Sequence, residues 1–234
     1  MFTVLDTHPI LDHGYVDLLD VQAACVQEYD PPCSCYDAAI AASARVSTGG
    51  RVRRPDHELI DYLVRNRHSS PLEMVTTVWR IKLPIFVARQ MVRHRTASIN
   101  EESARYTTPS MDCYVPSLKR MQGQSVNKQG SGETLETGKA QRAQALLSEL
   151  QGRSKEVYAE LIELGLTREL ARLACGVGTY TTWIWRTDLR NLLHFFGLRC
   201  DSHAQLEIRL YANAMKDMIR PFVPVTLGSW ERHV

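Results

Sequence analysis

The chain has 234 residues, of which 44% are hydrophobic and 23% are charged. These fractions are ordinary for a globular protein and exclude disordered, collagen-like and simple repeat sequences. The 28 basic and 26 acidic residues leave a formal net charge of +2, which excludes a generally basic nucleic-acid coat. No window approaches the roughly 18 uninterrupted apolar residues of a membrane span, and the amino terminus lacks the basic flank of a secretory leader.

Hydrophobic patterning predicts a helix-rich α+β domain with one compact sheet. No shift in composition marks a boundary, so we expect a single domain over 1–234 with a variable insertion at about 121–138. In the first half of the chain we predict one or two short strands within 4–20, a helix over 36–46, a helix from Asp56 to about Arg67, a strand over 75–83 and a helix from Pro84 through Arg95. In the second half we predict a polar loop over 121–138 and a long helix over 139–164. Three further helices begin near Thr167, near Asp188 and at Ser202; the second of these ends at Gly197 and the third at Arg220.

The cysteines indicate a reducing compartment. Of the six, only Cys33 and Cys35 are closely spaced, as C-S-C, which matches neither a zinc-binding nor a thioredoxin-like pattern. We therefore expect free thiols, no bound metal and a cytoplasmic location.

The strongest candidate for chemistry is the segment Arg93-His94-Arg95 and the polar stretch that follows it. Two arginines flanking a histidine place like charges side by side, which a folded chain tolerates best when an anion lies nearby. The hydroxyl, amide, carboxylate and guanidinium groups over 98–105 could hold a phosphate and a hydrogen-bonding base. A solvated basic helix end is the alternative interpretation.

Three further clusters have similarly simple alternatives. The segment 68–73, HSSPLE, lies in a turn before a strand, where a histidine is usually a surface or capping residue. Arg190 and His194 are four residues apart and therefore share a helix face. The simple alternative is an ordinary pair of side chains on the solvent-exposed side of that helix. Arg199 directly precedes a predicted helix start, where it could form an ion pair with Asp201.

Several familiar sites are missing from the sequence. It contains no GxGxxG, GxxxxGK[ST], HExxH or GxSxG pattern. A Rossmann cofactor site, a P-loop and a metalloprotease centre are therefore unsupported.

Taken together, the clusters resemble the flavin-dependent thymidylate synthases. Arg93-His94-Arg95, followed by seven residues and Ser103, matches the RHR-x7-S signature of that family. The segments IKLPIFVARQ, RHSSPLE and LRCDSHAQLEIRLYA also resemble the family and occur in the expected order. The resemblance runs from about Ala42 to about Tyr211.

The resemblance implies a mainly antiparallel sheet and a homotetramer that holds FAD at shared active sites between subunits. It implies that NADPH supplies reducing equivalents, that methylenetetrahydrofolate supplies one carbon, and that C5 of dUMP is methylated to give dTMP. In this family no enzyme cysteine attacks the pyrimidine, which agrees with the lack of an activated cysteine context here. The implied partners are dUMP or UMP and further copies of the chain, with no nucleic acid and no membrane.

The family's functional positions fall on named residues of this sequence. The resemblance implies that FAD contacts Ser47, His68, Ser70, Arg93, His94, Arg95, Thr96, Glu101, Asp188, Arg190 and His194. It implies that the nucleotide contacts Gln90, Arg93, Glu101, Glu102, Ser103, Ala104, Arg105, Arg172 and Arg199. Arg199 is the implied catalytic residue, because a fixed guanidinium would stabilise negative charge on the uracil edge when C5 becomes nucleophilic. Ala104 and Asp188 depart from the Gly and Asn that occur in other members.

Three alternatives stay open from the sequence. Some relatives in nucleoside-antibiotic pathways methylate UMP, and the contacts that would discriminate a 2′-hydroxyl cannot be located in one sequence. A non-catalytic relative would bind nucleotide without turnover. A nucleic-acid-binding module would use the basic patch from Arg89 to Arg105.

Overall fold

The computed structural model describes residues 2–24, 35–108, 110–126 and 130–234. Cys33 and the side chain of Cys35 lie outside the described residues. The strands are β1 (Asp6–Ile10), β2 (Gly14–Gln22), β3 (Thr76–Pro84), β4 (Ser98–Glu101), β5 (Gln122–Gln124), β6 (Ser131–Thr134) and β7 (Tyr180–Asp188). The helices are α1 (Cys35–Arg45), α2 (Asp56–Arg65), α3 (Ile85–Met91), α4 (Thr137–Glu163), α5 (Arg168–Ala171), α6 (Leu189–Arg199), α7 (Leu206–Ile219) and α8 (Pro224–His233).

The main sheet has five strands in the order β1-β2-β3-β7-β4, and every neighbouring pair is antiparallel. The expected α+β architecture around a mainly antiparallel sheet is therefore confirmed. β3 lies at its centre because its side chains alternate strictly: Thr77, Trp79, Ile81 and Leu83 are buried. This period-two pattern is what one buried face requires.

The buried face of the sheet is covered by helices. Side chains of α1, α2, α3, α6, α7 and α8 join Trp79 and Ile81 in one continuous hydrophobic cluster. On α6, Phe195 packs edge-on against Trp185 of β7, with ring centroids 5.5 Å apart. This packing fixes α6 against the strand that precedes it.

The structure differs from the sequence expectations in several elements. α3 ends at Met91, not at Arg95, because the amides of Arg93 and His94 bond back to the carbonyls of Gln90 and Met91 in a tight turn. Arg93 therefore lies in a turn and not on a helix face.

Other differences concern termini and missed elements. The predicted loop over 121–138 contains the hairpin β5–β6 and the first residues of α4. α6 continues through Gly197 to Arg199, and α7 begins at Leu206, not at Ser202. The strands β4 and β7 and the helix α8 had no sequence prediction. In the described part of the chain, no helix has the length and hydropathy needed to cross a membrane.

Candidate active site

The junction between β7 and α6 places the first group of candidate residues. Asp188 caps α6 as predicted, since its Oδ1 accepts from the Asn191 amide at 2.9 Å and its Oδ2 from Asn191 Nδ2 at 2.7 Å. Arg190, His194 and Arg199 of this helix all border one pocket together with the turn that contains Arg93-His94-Arg95.

This turn and α6 enclose a cationic pocket of about 340 Å³. Its lining includes Arg93, His94, Arg95, Thr96, Trp185, Thr187, Arg190, Asn191, His194, Leu198 and Arg199. Among these described residues there is no carboxylate, so four guanidinium groups converge without a neutralising partner in the lining. Such a concentration of positive charge favours an anionic ligand.

A hydrogen bond across the pocket joins Arg199 to His94. Arg199 Nε donates to His94 Nε2 at 3.0 Å, which fixes the imidazole as an acceptor at Nε2 and leaves the proton on Nδ1. Burial and the neighbouring charges of Arg199 and His194 lower the pKa of His94 to about 4. His94 is therefore neutral at physiological pH. The alternative pairing of Arg199 with Asp201 is absent from the described structure, where Asp201 instead binds His203 at 2.8 Å.

A second pocket of about 400 Å³ lies at the other end of β4. Its lining includes Glu101, Glu102, Ser103, Ala104 and Arg172, together with Ile85, Cys175 and the start of β7. Glu101 is held by Thr181, whose Oγ1 donates to Glu101 Oε1 at 2.6 Å. Arg172 is oriented by its own helix turn, because its Nε donates to the Glu169 carbonyl at 3.1 Å.

β4 connects the two pockets. Its first residue, Ser98, pairs with Arg186, and its last residue, Glu101, pairs with Trp183. At about 3.3 Å per residue, this strand separates the two ends by roughly 10 Å. The short segment between the Arg93-His94-Arg95 turn and Ser103 thus contains one extended strand, β4, and this strand places the two pockets beside each other.

Several implied site residues lie elsewhere in the described chain. Ser47 is in the turn after α1, where its hydroxyl donates to the Ala44 carbonyl at 2.9 Å. His68 stacks edge-on against Tyr62 at 5.6 Å, and Ser70 is exposed in the following turn. None of these three lines the cationic pocket.

Four implied nucleotide contacts lie outside the second pocket: Arg93 and Arg199 line the cationic pocket, and Gln90 and Arg105 line neither. Arg105 is exposed and faces Glu169 at 3.6 Å, and Gln90 contacts Gln205 at the start of α7. Asp188 uses both carboxylate oxygens for the helix cap and borders a separate shallow pocket with Thr96.

Sequence reasoning missed residues that extend the cationic pocket. A neighbouring cavity of about 550 Å³ shares Arg190 and His194 with it and is lined also by Arg67 and Ser69. Arg67 has a φ of 58°, a left-handed conformation that is uncommon for arginine. Arg67 and Ser69 both lie within the RHSSPLE segment that resembles the family, but neither is among the implied contacts.

The cationic pocket has four arginines and no carboxylate in its described lining, which suits an anionic ligand, and a second polar pocket lies beside it. Comparison with known proteins specifies the class. The family profile described as "Thymidylate synthase complementing protein" matches residues 33–225. Flavin-dependent thymidylate synthases from Ruegeria pomeroyi and Treponema denticola are each 42% identical over 96% of this chain, which covers 72% and 81% of their respective lengths.

The fold agrees with the sequence comparison. The UMP/dUMP methylase PolB from Streptomyces cacaoi, solved with 5-Br dUMP, superposes with a TM-score of 0.81 at 31% identity, covering 95% of this chain and 97% of PolB. The same enzyme with 5-Br UMP gives a TM-score of 0.82 at 30% identity over 96% of each chain. The chain therefore belongs to the flavin-dependent thymidylate synthase family, and the resemblance carried by the RHR-x7-S signature is confirmed.

The low pKa of His94 predicts an acid-sensitive stability. The folded-state value of about 4 lies below the ordinary 6.5, so between these values the folded protein binds fewer protons than the unfolded chain. The free energy of unfolding therefore falls as the pH drops through this window. His94→Gln keeps an acceptor for Arg199 but cannot titrate, so the melting temperature of the wild type should fall more steeply between about pH 7 and 4.5 than that of the variant.

Differential scanning fluorimetry without added ligand measures this difference. His57→Gln, at an exposed position on α2, is the matched control and should follow the wild type. Parallel pH profiles for wild type and His94→Gln would contradict the assignment.

Proposed function

We propose that this protein is a flavin-dependent methyltransferase that converts dUMP to dTMP. In the proposed reaction methylenetetrahydrofolate transfers a one-carbon unit to C5 of the pyrimidine, and reducing equivalents from NADPH convert that unit to a methyl group. The observation that carries the proposal is the placement of a cationic pocket and a Glu-Ser-Ala-lined pocket at the two ends of β4. The thymidylate synthases at about 40% identity support the same reaction.

The cationic pocket fits a phosphorylated cofactor such as FAD. Arg93, Arg95 and Arg190 supply forked donors suited to a diphosphate. Neutral His94 presents Nδ1–H, because its Nε2 is occupied by Arg199. Bound there, FAD would supply the hydride that the reaction needs. The protein's contribution is to orient the reactants and to exclude competing water.

The second pocket fits the phosphate and sugar of a nucleotide. Ser103 offers a hydroxyl, and Arg172 offers a cation at the pocket wall. A nucleotide phosphate carries close to two negative charges, which an arginine and hydroxyl donors bind well. The likeness to PolB, whose structure holds 5-Br dUMP, supports a pyrimidine nucleotide as the occupant.

Arg199 is the residue we assign to catalysis. Its Nε donates to His94 Nε2, and its two Nη nitrogens donate to no other side chain among the described residues. Burial lowers the pKa of Arg199, but a guanidinium remains charged at neutral pH. A half-buried cation held in place by His94 is suited to stabilise negative charge that develops on the pyrimidine during attack.

UMP is the second candidate substrate. The observation that favours it is that PolB, whose fold this chain shares, is a UMP/dUMP methylase solved with 5-Br UMP as well as with 5-Br dUMP. A nucleic-acid-binding role fits less well, because Arg93 and Arg95 after α3 line one pocket with α6 and do not form an extended track.

We also propose that the chain forms a homotetramer with shared active sites. Leu150, Leu173 and Val177 are 63%, 80% and 66% exposed and border one groove of about 590 Å³. An apolar surface of this kind is typical of an interface between copies. Ser47, His68 and Ser70 lie outside the cationic pocket of their own chain, which agrees with a site completed by a neighbour.

The reaction is tested by offering dUMP and UMP side by side with NADPH, FAD and methylenetetrahydrofolate. We expect dTMP as the main product, detected by mass spectrometry, and loss of oxidised-flavin absorbance when NADPH is added. Methylation of UMP alone would establish the second candidate. Failure to methylate either nucleotide by a flavin-loaded protein would overturn the proposal.

Replacing Arg199 separates binding from chemistry. Arg199→Ala should lower kcat by about 100-fold or more, the scale of losing one oxyanion donor, while the protein keeps its bound flavin by absorbance. Arg220→Ala removes an arginine at the carboxyl end of α7 that pairs with Glu231 at 2.7 Å and should leave kcat unchanged. Turnover that survives in Arg199→Ala would refute the catalytic assignment.

Assembly is measured by light scattering during size-exclusion chromatography. We expect a particle with four times the mass of one chain. Leu173→Glu places a charge in the exposed apolar groove and should shift the population to smaller species. A monomeric wild type at micromolar concentration would contradict the shared-site proposal.

A further inference from the structure

The turn after α2 places an arginine where a helix end usually has glycine. α2 ends at Arg65, and two hydrogen bonds then close back onto it. The Arg67 amide donates to the Val64 carbonyl at 3.1 Å, and the next amide, that of His68, donates to the Leu63 carbonyl at 2.8 Å. This pair of bonds defines the Schellman motif, which requires a left-handed residue at position 67. Arg67 accordingly has a φ of 58°.

The same motif at the end of α4 contains glycine. There the Gly165 amide donates to the Ile162 carbonyl at 3.0 Å, and the Leu166 amide donates to the Leu161 carbonyl at 2.9 Å. Gly165 has a φ of 86°, and outside the adjacent residues an added Cβ would have no neighbour within 4 Å. Glycine therefore suits this position through its left-handed backbone, which any side chain disfavours, and not through lack of space. By this comparison Arg67 lowers the stability of its own turn.

No contact within the fold explains the arginine. Arg67 is exposed, and throughout the described ranges its guanidinium has no hydrogen bond, ion pair or ring contact. The side chain instead borders the cavity of about 550 Å³ between α2, α6 and α8. A residue held in an uncommon backbone conformation, without a partner in its own chain, is typical of a ligand site.

The cavity beside Arg67 adjoins the cationic pocket. Both are lined by Arg190, His194 and Leu198 of α6. No acidic side chain occurs in the described lining of the cavity, and most of its other residues are apolar: Leu63, Val64, Leu72, Leu193 and Trp230. An apolar cavity with cations along one side suits a flat ring that is attached to phosphates.

We infer that Arg67 binds the phosphates of a nucleoside diphosphate group that extends from the cationic pocket into this cavity. The inference rests on the proposed function, in which a phosphorylated cofactor occupies the cationic pocket. Arg67 on the α2 side and Arg190 on the α6 side bind the diphosphate, and the nucleoside lies on the apolar lining. Adenosine diphosphate is part of both FAD and NADPH. Arginine at position 67 thus lowers the stability of the turn and raises the affinity for the ligand.

Arg67→Gly and Arg67→Met separate these two effects. The first variant relaxes the turn and removes the cation, whereas the second removes the cation and keeps a side chain on the left-handed backbone. In both, the calorimetric Kd for ADP should rise about tenfold, the scale of one hydrogen bond to a charged group. Without ligand, the melting temperature of Arg67→Gly should rise by about 2–4 °C, and that of Arg67→Met should not change.

Two matched variants control for charge and for backbone strain. Arg65→Ala removes an exposed arginine that lines none of the cavities described above, and it should leave the Kd for ADP unchanged. Gly165→Arg places an arginine in the same motif at the end of α4, so it should lower the melting temperature without changing that Kd. An ADP affinity equal to that of the wild type in both Arg67 variants would overturn the inference. A fall in the melting temperature of Arg67→Gly would refute the assigned strain.

Cofactors and fragments identify the group that Arg67 binds. Adenosine lacks the phosphates, so its affinity should be the same in wild type and Arg67→Met. Flavin fluorescence should show that Arg67→Met binds FAD about tenfold more weakly. A loss of affinity for NADP+ and not for FAD would support the same contact with the nicotinamide cofactor as its source. Unchanged affinities for both cofactors, or an equal loss for adenosine and ADP, would overturn the inference.

Failure of the inference and failure of the proposed function give different results. If the wild type methylates dUMP and both Arg67 variants bind ADP, FAD and NADP+ as the wild type does, only the inference is wrong. If the flavin-loaded wild type methylates neither nucleotide but Arg67→Met binds FAD more weakly, the proposed function is wrong and the contact stands. A wild type that binds none of the three ligands would contradict both.

Discussion

The antiparallel pairing of β4 with β7 is the interaction on which the arrangement of both pockets depends. All four residues of β4 are exposed, so little burial of its own holds the strand. Its place follows from β7, which pairs with β3 over nine residues in the centre of the sheet. Because β4 is short and extended, the cationic turn before it and residues 101–104 after it cannot move apart without breaking that ladder. The sheet therefore sets the spacing of the two ligand sites.

The concentration of positive charge has an energetic consequence. Arg93, Arg95, Arg190 and Arg199 repel one another across a pocket whose described lining has no carboxylate. His94 is neutral and so adds no further positive charge, and its only acceptor atom, Nε2, accepts a hydrogen bond from Arg199. An anionic ligand would reduce the remaining repulsion and stabilise the folded chain, with a stabilisation that grows with the logarithm of its affinity. The arginines that repel one another in the absence of a ligand are thus those that favour an anionic one.

Sequence patterns predicted the elements that depend on interactions between residues close together in the chain. The alternation over 75–83 gave β3, and the Asp188 cap gave the start of α6, because each depends on neighbours in sequence. β4 was missed because four exposed residues carry no alternation, and its pairing partner is more than 80 residues away. The contact of Arg199 with His94 spans 105 positions, so only the family resemblance could bring them together in advance.

The same reasoning explains why one chain does not account for every implied cofactor residue. Arg190, His194 and the Arg93-His94-Arg95 turn converge because α6 directly follows β7 in the chain and β4, which the turn precedes, pairs with β7. Ser47 instead lies after α1, in a part of the fold that packs against α2 and α8. Ser47 bonds to its own helix end, and His68 rests on Tyr62. Nothing in a single chain's sheet or core draws Ser47 to the cationic pocket, whereas Arg67 and Ser69, on either side of His68, line a cavity that shares Arg190 and His194 with it. A cofactor that touched both groups would have to bridge them, which is the geometry expected when a second copy supplies one wall of the site.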